Sequence, residues 1–237
     1  MTRRRVISWF SALLAGWLGT RAKPGAATPV ASEAGSAAFA GFLRAYPPDA
    51  SLQPCAEEQC AAWRGKLPDA LIRFWREVGR GSFGGGIITL VDPQEWHAEL
   101  DGWLLGQTEG RAVIARSAFG DLFYYRDLGM QLIGGAQAHA EDISRLDPHG
   151  SAGTVEVCAW GIEEFFESYL CTAESADAAL RKRLYTAAVR RLGQAIGDQG
   201  FYFVPALRLG GNERAESIDK GDLHVQLDIL LQLAQAQ

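Results

Sequence analysis

Cysteine and histidine are the residue types that most often bind metals or act as nucleophiles, so their spacing is the first indicator of chemistry in this chain. The chain contains four of each: Cys55, Cys60, Cys158, Cys171, His97, His139, His149 and His224. It has no Cys-x-x-Cys motif and no His-x-x-x-His pair. This spacing favours cysteines that act as small apolar side chains, and it predicts no metal and no cofactor. Two alternatives stay open: a Cys55–Cys60 disulfide if the protein is exported, and a cysteine–histidine pair that only folding brings together.

Adjacent carboxylates are the second candidate chemistry, because paired acids can perform general acid–base catalysis. They occur at Glu57-Glu58, Glu141-Asp142 and Glu163-Glu164. Neighbouring side chains diverge on a helix, so each pair is expected to be a solvated helix face. Carboxylates that act together would have to converge from distant parts of the chain.

A glycine-rich segment and a serine complete the candidate motifs. Residues 79–86 read GRGSFGGG and lead into a predicted strand, Ile87–Val91. A phosphate-binding loop instead connects a strand to a helix and ends in Lys-Ser or Lys-Thr, so we expect a turn here. Ser117 lacks the Gly-x-Ser-x-Gly context of a nucleophile elbow and is expected to be a turn hydroxyl. The motifs therefore predict that the protein is not an enzyme.

The charge is unevenly distributed along the chain. The first 27 residues contain five basic residues and no acid, and the rest has 18 basic and 28 acidic residues, a net charge of −10. An acidic surface repels phosphate backbones and attracts basic surfaces. We expect no direct nucleic-acid binding and, as partner, a basic protein.

The amino terminus resembles an export signal. Arg3, Arg4 and Arg5 precede an apolar run, Val6–Gly19, which is too short to span a bilayer comfortably but fits a secretory or twin-arginine leader. Against export, tryptophans interrupt the run and basic residues follow it. A cytosolic extension is the alternative, and membrane association is expected only if the segment is retained as an anchor. Residues 24–37 are typical of a linker.

The hydrophobic pattern predicts helices before and after a β-rich middle. Apolar residues at helical spacing predict a helix over Leu67–Val78, and further helices over 162–170, about 176–192 and 223–234. Short apolar runs at 112–116, 121–126 and 130–133, separated by turns at 119–120 and 127–129, predict an antiparallel meander. The predicted fold class is α+β, a central antiparallel sheet with helices N- and C-terminal to it. Trp75 and Phe119 are expected in the core.

Three ordered segments carry a family resemblance. They read LPDALIRFWREVGRGSFGGGIITLVDPQEW at 67–96, RSAFGDLFYY at 116–125 and GFYFVPALRLGG at 200–211. The first resembles the GAD-like domain, and together they are similar to bacterial immunity proteins that are paired with type VI secretion DNase effectors. We expect a leader or extension with a linker at 1–37, a GAD-like subdomain at 38–109 and a C-terminal immunity-protein subdomain at 110–237. The alternative is that the two halves after residue 37 form one continuous unit.

The resemblance also implies a function. The protein would bind a cognate toxin, a nuclease, and neutralise it by occlusion in the cytoplasm, with no catalytic residues of its own. The N-terminal segment keeps export to the periplasm as the alternative. An exported ligand-binding protein, an enzyme whose site is assembled from distant residues, and a member of the related SMI1/KNR4-like superfamily are the other readings.

The predicted partner-binding residues are Glu163, Glu164 and Glu167. On a regular helix they lie together, opposite the aromatic stripe that begins at Ile162, and are expected to be exposed. The surrounding segment, 141–180, contains nine carboxylates and one basic residue, Arg145. Such a face would attract the basic surface of a nuclease. The alternative is that it only keeps a surface helix soluble.

Overall fold

The computed structural model describes residues 39–50, 52–150 and 154–236. The predicted leader and nearly all of the linker lie outside the described residues. None of the helices in the described part of the chain is both long and apolar enough to cross a membrane.

Three short helices precede the sheet: α1 (Ala40–Ala45), α2 (Glu57–Ala61) and α3 (Asp69–Glu77). The helix predicted over Leu67–Val78 is α3. It begins directly after Pro68, which suits a helix start because its missing N–H is not needed there. Leu71, Phe74 and Trp75 are buried on one side of α3, as the apolar stripe predicts.

A six-stranded antiparallel sheet forms the centre of the fold, with its strands adjacent in chain order. The strands are β1 (Gly81–Phe83), β2 (Ile88–Leu90), β3 (Arg111–Ser117), β4 (Leu122–Ile133), β5 (Ala136–Asp147) and β6 (Thr154–Ala159). Helix α4 (His97–Trp103) lies between β2 and β3 in the chain. The predicted α+β class is confirmed. Because β2 pairs with β3, the sheet is continuous across the predicted subdomain boundary at residue 109, and the division itself stays a prediction.

The turn predicted at Asp127–Gly129 is wrong. Strand β4 continues through these residues, and its register with β5 shifts between Asp127 and Met130. Gly129 adopts a positive φ of 69°, and its N–H donates to Asp127 Oδ1 at 2.8 Å. The residues typical of a turn therefore form a β-bulge, which also tolerates glycine at positive φ.

Strands β5 and β6 were not foreseen. The Glu141-Asp142 pair lies on β5, so its two side chains point to opposite faces of a sheet, and the expectation of a helix face is wrong for this pair.

The C-terminal part carries the remaining helices and a two-stranded antiparallel sheet. A short helix, α5 (Ile162–Glu164), continues into a π-helical turn over Phe165–Tyr169. The other elements are α6 (Ala173–Leu180), α7 (Lys182–Leu192), β7 (Gln199–Phe203), β8 (Ile218–Asp222) and α8 (Leu223–Gln235). The single helix predicted over about 176–192 is therefore divided at Arg181.

Apolar residues pack on both faces of the large sheet. On one face Ile88, Leu90 and Phe123 contact a cluster that includes Trp75 and Phe166. On the other face a smaller cluster joins the sheet to α4 and α8. A third cluster places Phe119 against β7 and the helix α7. Burial of Trp75 and Phe119, at 0% and 1% exposure, confirms the two predicted core residues.

Replacing either aromatic by alanine tests this core. Trp75→Ala and Phe119→Ala should each lower the free energy of unfolding by about 3–5 kcal/mol, because each leaves a cavity in a packed cluster. The matched control is Trp160→Ala, since Trp160 is exposed and its loss should change the free energy by no more than about 0.5 kcal/mol. Urea denaturation measures all three. A Phe119→Ala protein as stable as the control would contradict the core assignment.

Candidate partner-binding surface

The structure places the three predicted partner-binding glutamates in different environments. Glu163 and Glu164 are exposed, whereas Glu167 is partly buried. The Glu167 carboxylate accepts hydrogen bonds from the Gly41 N–H at 3.0 and 3.1 Å. The π-helical turn begins after Glu164 and adds residues per turn, so the regular helical spacing that groups the three side chains does not hold here. Whether they contact a partner stays a prediction.

Many carboxylates of the acidic segment bind arginines of the same chain. Asp142 is fully buried and accepts two hydrogen bonds from Arg126. Glu156 lies 3.2 Å from Arg145. The acidic count in the sequence therefore overstates the negative charge that this segment offers to a partner.

Arg181 forms the largest of these internal contacts. Its Nη1 donates to both oxygens of the fully buried Asp121 at 2.8 and 3.1 Å, and its Nη2 donates to Asp147 at 3.0 Å. Its Nε donates to Glu213 at 3.2 Å, and Arg145 lies beside the same two aspartates. Burial alone would lower the pKa of Arg181, but the surrounding carboxylates raise it above its ordinary value. This buried ion network joins the large sheet to the C-terminal helices.

The backbone of Arg181 explains the divided helix. Its φ and ψ are 46° and 48°, the left-handed conformation that residues other than glycine rarely adopt. This conformation ends α6, starts α7 in a new direction and places the guanidinium over the β3–β4 turn. The strained backbone is tolerated because the buried carboxylates require the cation.

Ser117, Asp121 and His149 lie close together, but their hydrogen bonds are structural. The Ser117 hydroxyl donates to Asp121 at 2.6 Å and accepts from the N–H groups of Phe119 and Asp121. This is the role of a turn hydroxyl, as the sequence indicates. His149 binds the carbonyl oxygen of Phe119 at 2.8 Å, and all three residues are buried. In the described ranges, no group of histidine, cysteine and acidic residues is arranged to hold a metal ion.

The most prominent exposed apolar feature is the end of the β4–β5 hairpin, which we call the hairpin arm (residues 130–139). Met130, Leu132 and Ile133 are 62%, 76% and 54% exposed. The two strands stay paired up to the end of the hairpin, where Ile133 lies opposite Ala136. Gly134 and Gly135, both at positive φ, form the turn. A Gly-Gly turn of this kind between two strands is a hairpin signal that the sequence analysis missed.

A second exposed group adjoins the base of the hairpin arm. The Trp160 side chain is 69% exposed, and the Trp160 backbone N–H donates to the Glu164 carboxylate at 2.8 Å. Glu141 on β5 lies opposite Asp127 on β4 in the strand register, at the start of the bulge. Its carboxylate lies next to Gly161, so Glu141 is located between the hairpin arm and Trp160. We call the hairpin arm together with Glu141, Trp160, Glu163 and Glu164 the arm surface. Exposed tryptophan and aliphatic side chains bordered by charges are typical of protein–protein interfaces.

Two parts of the chain match known domain families. Residues 37–133 match the GAD-like domain, and residues 159–234 match a family described as T6SS immunity protein Tdi1, C-terminal. The C-terminal part of the chain thus matches a type VI secretion immunity domain, and the N-terminal part matches the GAD-like domain. The arm surface spans both matched regions and the residues between them.

Structural comparison agrees with the fold. The crystal structure of Atu4351 from Agrobacterium tumefaciens superposes with a TM-score of 0.60 at 16% identity, covering 82% of this chain and 88% of that one. This similarity supports a shared fold. Among curated proteins, no sequence matches the chain significantly.

The buried ion network predicts a large effect of one substitution in the immunity protein. Arg181→Met should lower the free energy of unfolding by about 3–5 kcal/mol, because Asp121 and Asp147 would remain buried with only Arg145 as a cation. Arg183→Met removes the same charge two residues away from an exposed side chain and should have little effect. Thermal unfolding of both variants compares them directly. Equal stability would show that Arg181 is dispensable.

His149 predicts how stability depends on pH. Burial, and next the nearby Arg181, lower its pKa, although Asp121 and Asp147 act in the opposite direction. Nε2 must donate to the Phe119 carbonyl, so protonation would add a proton to Nδ1, which is buried without a partner. The unfolded chain therefore takes up this proton first, and stability should fall as pH drops below about 6.5. In His149→Gln this decrease should be smaller between pH 7 and pH 5, as measured by the melting temperature; an unchanged decrease would contradict the assignment.

Proposed function

We propose that this immunity protein binds a cognate type VI effector, a nuclease, through the arm surface and neutralises it by covering its nucleic-acid-binding site. The match of residues 159–234 to an immunity domain is the observation that carries the proposal. The arm surface supports it, because it combines exposed apolar side chains with carboxylates at one place. The protein needs no catalytic activity for this role.

The hairpin arm supplies the apolar part of the proposed contact. A projecting two-stranded hairpin buries little apolar surface by itself, so Met130, Leu132 and Ile133 remain in water until a partner covers them. Trp160 adds a large side chain of the type that often dominates binding energy. Together they can bury enough apolar area to hold a complex.

The carboxylates supply the electrostatic part. A nuclease presents positive charge to its substrate, so Glu141, Glu163 and Glu164 can attract the same surface that nucleic acid would occupy. Neutralisation by occlusion follows from this competition. We further propose that it occurs in the cytoplasm, where a nuclease effector meets the cell's DNA.

Substitution in the hairpin arm tests the apolar contact. Met130→Gln with Leu132→Gln should weaken effector binding by at least about 10-fold, because interface anchors of this kind contribute more than about 1.4 kcal/mol. Stability should be nearly unchanged because both side chains are exposed. Leu209→Gln is the control, because Leu209 is an exposed leucine outside the arm surface. Isothermal titration with a catalytically inactive effector measures affinity, and survival during co-expression with the active toxin measures protection. If the double variant binds and protects as well as the control, the hairpin arm is not the interface.

Charge reversal tests the electrostatic contact. Glu163→Lys with Glu164→Lys should slow association with the effector, and association of the unmodified protein should weaken as salt increases. Glu167 is left unchanged because it binds Gly41. Glu164 accepts a hydrogen bond from the Trp160 backbone, so Glu164→Ala measures separately the effect of losing that bond. Glu58→Lys with Glu216→Lys makes the same change in net charge at exposed positions elsewhere. Stopped-flow association rates should fall more for the first pair than for the second; equal rates would refute the role of these glutamates.

A further inference from the structure

A row of polar side chains crosses strands β1, β2 and β3 on the face away from the largest apolar cluster. Ser82 pairs with Thr89, and Thr89 pairs with Arg116. Side chains of paired residues share a face of the sheet, and Ile88 and Leu90 on either side of Thr89 point into the core. Two hydroxyl groups and one guanidinium therefore lie in line across three strands.

Two adjoining clefts lie beside this row. One has a volume of about 500 Å³ and reaches Asp49 and the loop at 194–197; the other has a volume of about 400 Å³ and reaches Trp96. Both are lined by Gly81, Thr89, Arg116 and Gly197. We call the two clefts together the Arg116 groove. Arg116 lies at their junction.

Arg116 lacks the carboxylates that surround Arg181. It is 3% exposed, and its guanidinium stacks over the Trp96 ring at 5.1 Å. Nη2 donates to the Gly197 carbonyl at 2.6 Å, whereas Nε is buried without a hydrogen-bond partner among the described residues. Burial lowers the pKa of Arg116 to about 10, with a smaller opposing effect of Asp198. A buried cation with an unused donor is costly, and an incoming anion would offset that cost.

The other residues of the groove restrict which anion fits. Four carboxylates and Arg80 also line it. Arg80 pairs with Asp92, and Asp49 accepts hydrogen bonds from Ser82 and from the Gly85 N–H. The remaining acids, Glu95 and Asp198, would repel a polyphosphate or a nucleic-acid backbone. A ligand with a single carboxylate can instead bind the guanidinium. Basic groups of the same ligand, next to that carboxylate, can face the acids of the groove. Glycines at 81, 85 and 86 form part of one wall, so no side chain of these residues projects into the groove.

We propose that the Arg116 groove binds a peptide segment of the effector, with one aspartate or glutamate on Arg116 and basic residues beside it. This inference rests on the proposed function and adds a second contact, separate from the arm surface. The carboxylate pairs with the Arg116 guanidinium at the junction of the two clefts. The acids of the groove would attract the basic residues of such a peptide.

Affinity measurements with the full chain and a catalytically inactive effector test the inference. Arg116→Gln should weaken binding by about 10- to 100-fold, the expected loss for a charge-assisted hydrogen-bonded pair. Arg183→Gln removes the same charge from an exposed site and should bind as the unmodified protein does. Each acidic residue of the effector is then replaced by alanine. One of these replacements should weaken binding to the unmodified protein but should not weaken binding to Arg116→Gln any further. Equal affinities of Arg116→Gln and Arg183→Gln would overturn the inference.

A second variant covers the case in which Arg116→Gln does not fold. Ala50 is exposed at the rim of the groove, so Ala50→Trp should obstruct the groove without disturbing the core, and it should weaken binding to a similar degree. Unchanged affinity of Ala50→Trp would count against the groove.

Spectroscopy reports on the site itself. In protein labelled at arginine, the Nε–H signal of Arg116 should shift when the effector is added. No shift in a formed complex, or the same shift with short duplex DNA alone, would overturn the inference. Failure of the unmodified protein to bind the effector would instead refute the proposed function.

Discussion

The buried contact between Arg181 and two aspartates is the constraint on which the arrangement of this protein depends. Asp121 belongs to the turn between β3 and β4, Asp147 ends β5, and Arg181 lies between two C-terminal helices. Neither charge is tolerable in the interior without the other. The pairing therefore fixes the C-terminal helices on the sheet and requires the left-handed backbone that separates α6 from α7. It joins the regions that match two different family models into one folded unit.

The same packing determines which surface remains for a partner. Apolar clusters cover both faces of the sheet where β3, β4 and β5 are buried, and the hairpin arm lies outside this covered part. Exposed apolar side chains are common singly, but here several lie along one hairpin and continue to Trp160. Asp142, Asp147 and Glu156 are paired with arginines within the chain. The carboxylates that border the arm surface, Glu141, Glu163 and Glu164, have no such arginine partner among the described residues.

Arg181 and Arg116 show how two buried arginines can differ in role. Arg181 has carboxylates on each side, so its charge is compensated within the fold. Arg116 has one carbonyl, the face of Trp96 and an unused N–H beside an open groove. The first arrangement is complete and stabilises the fold, whereas the second is completed by an external carboxylate. The arm surface and the Arg116 groove would then hold separate parts of the same effector.

The sequence by itself determined the α+β class, helix α3 and the burial of Trp75 and Phe119, because hydrophobic periodicity reflects which side of an element meets the core. Its ordered motifs also indicated the immunity family. Only the tertiary structure decided that Asp127–Gly129 is a bulge, that Arg181 divides a helix, and that Glu167 binds Gly41 while Glu163 and Glu164 face solvent. It also placed Arg116 at the junction of two clefts. The Arg181, Glu167 and Arg116 contacts involve partners far away in the chain, and local pattern contains no information about which distant charge or backbone group a side chain will meet.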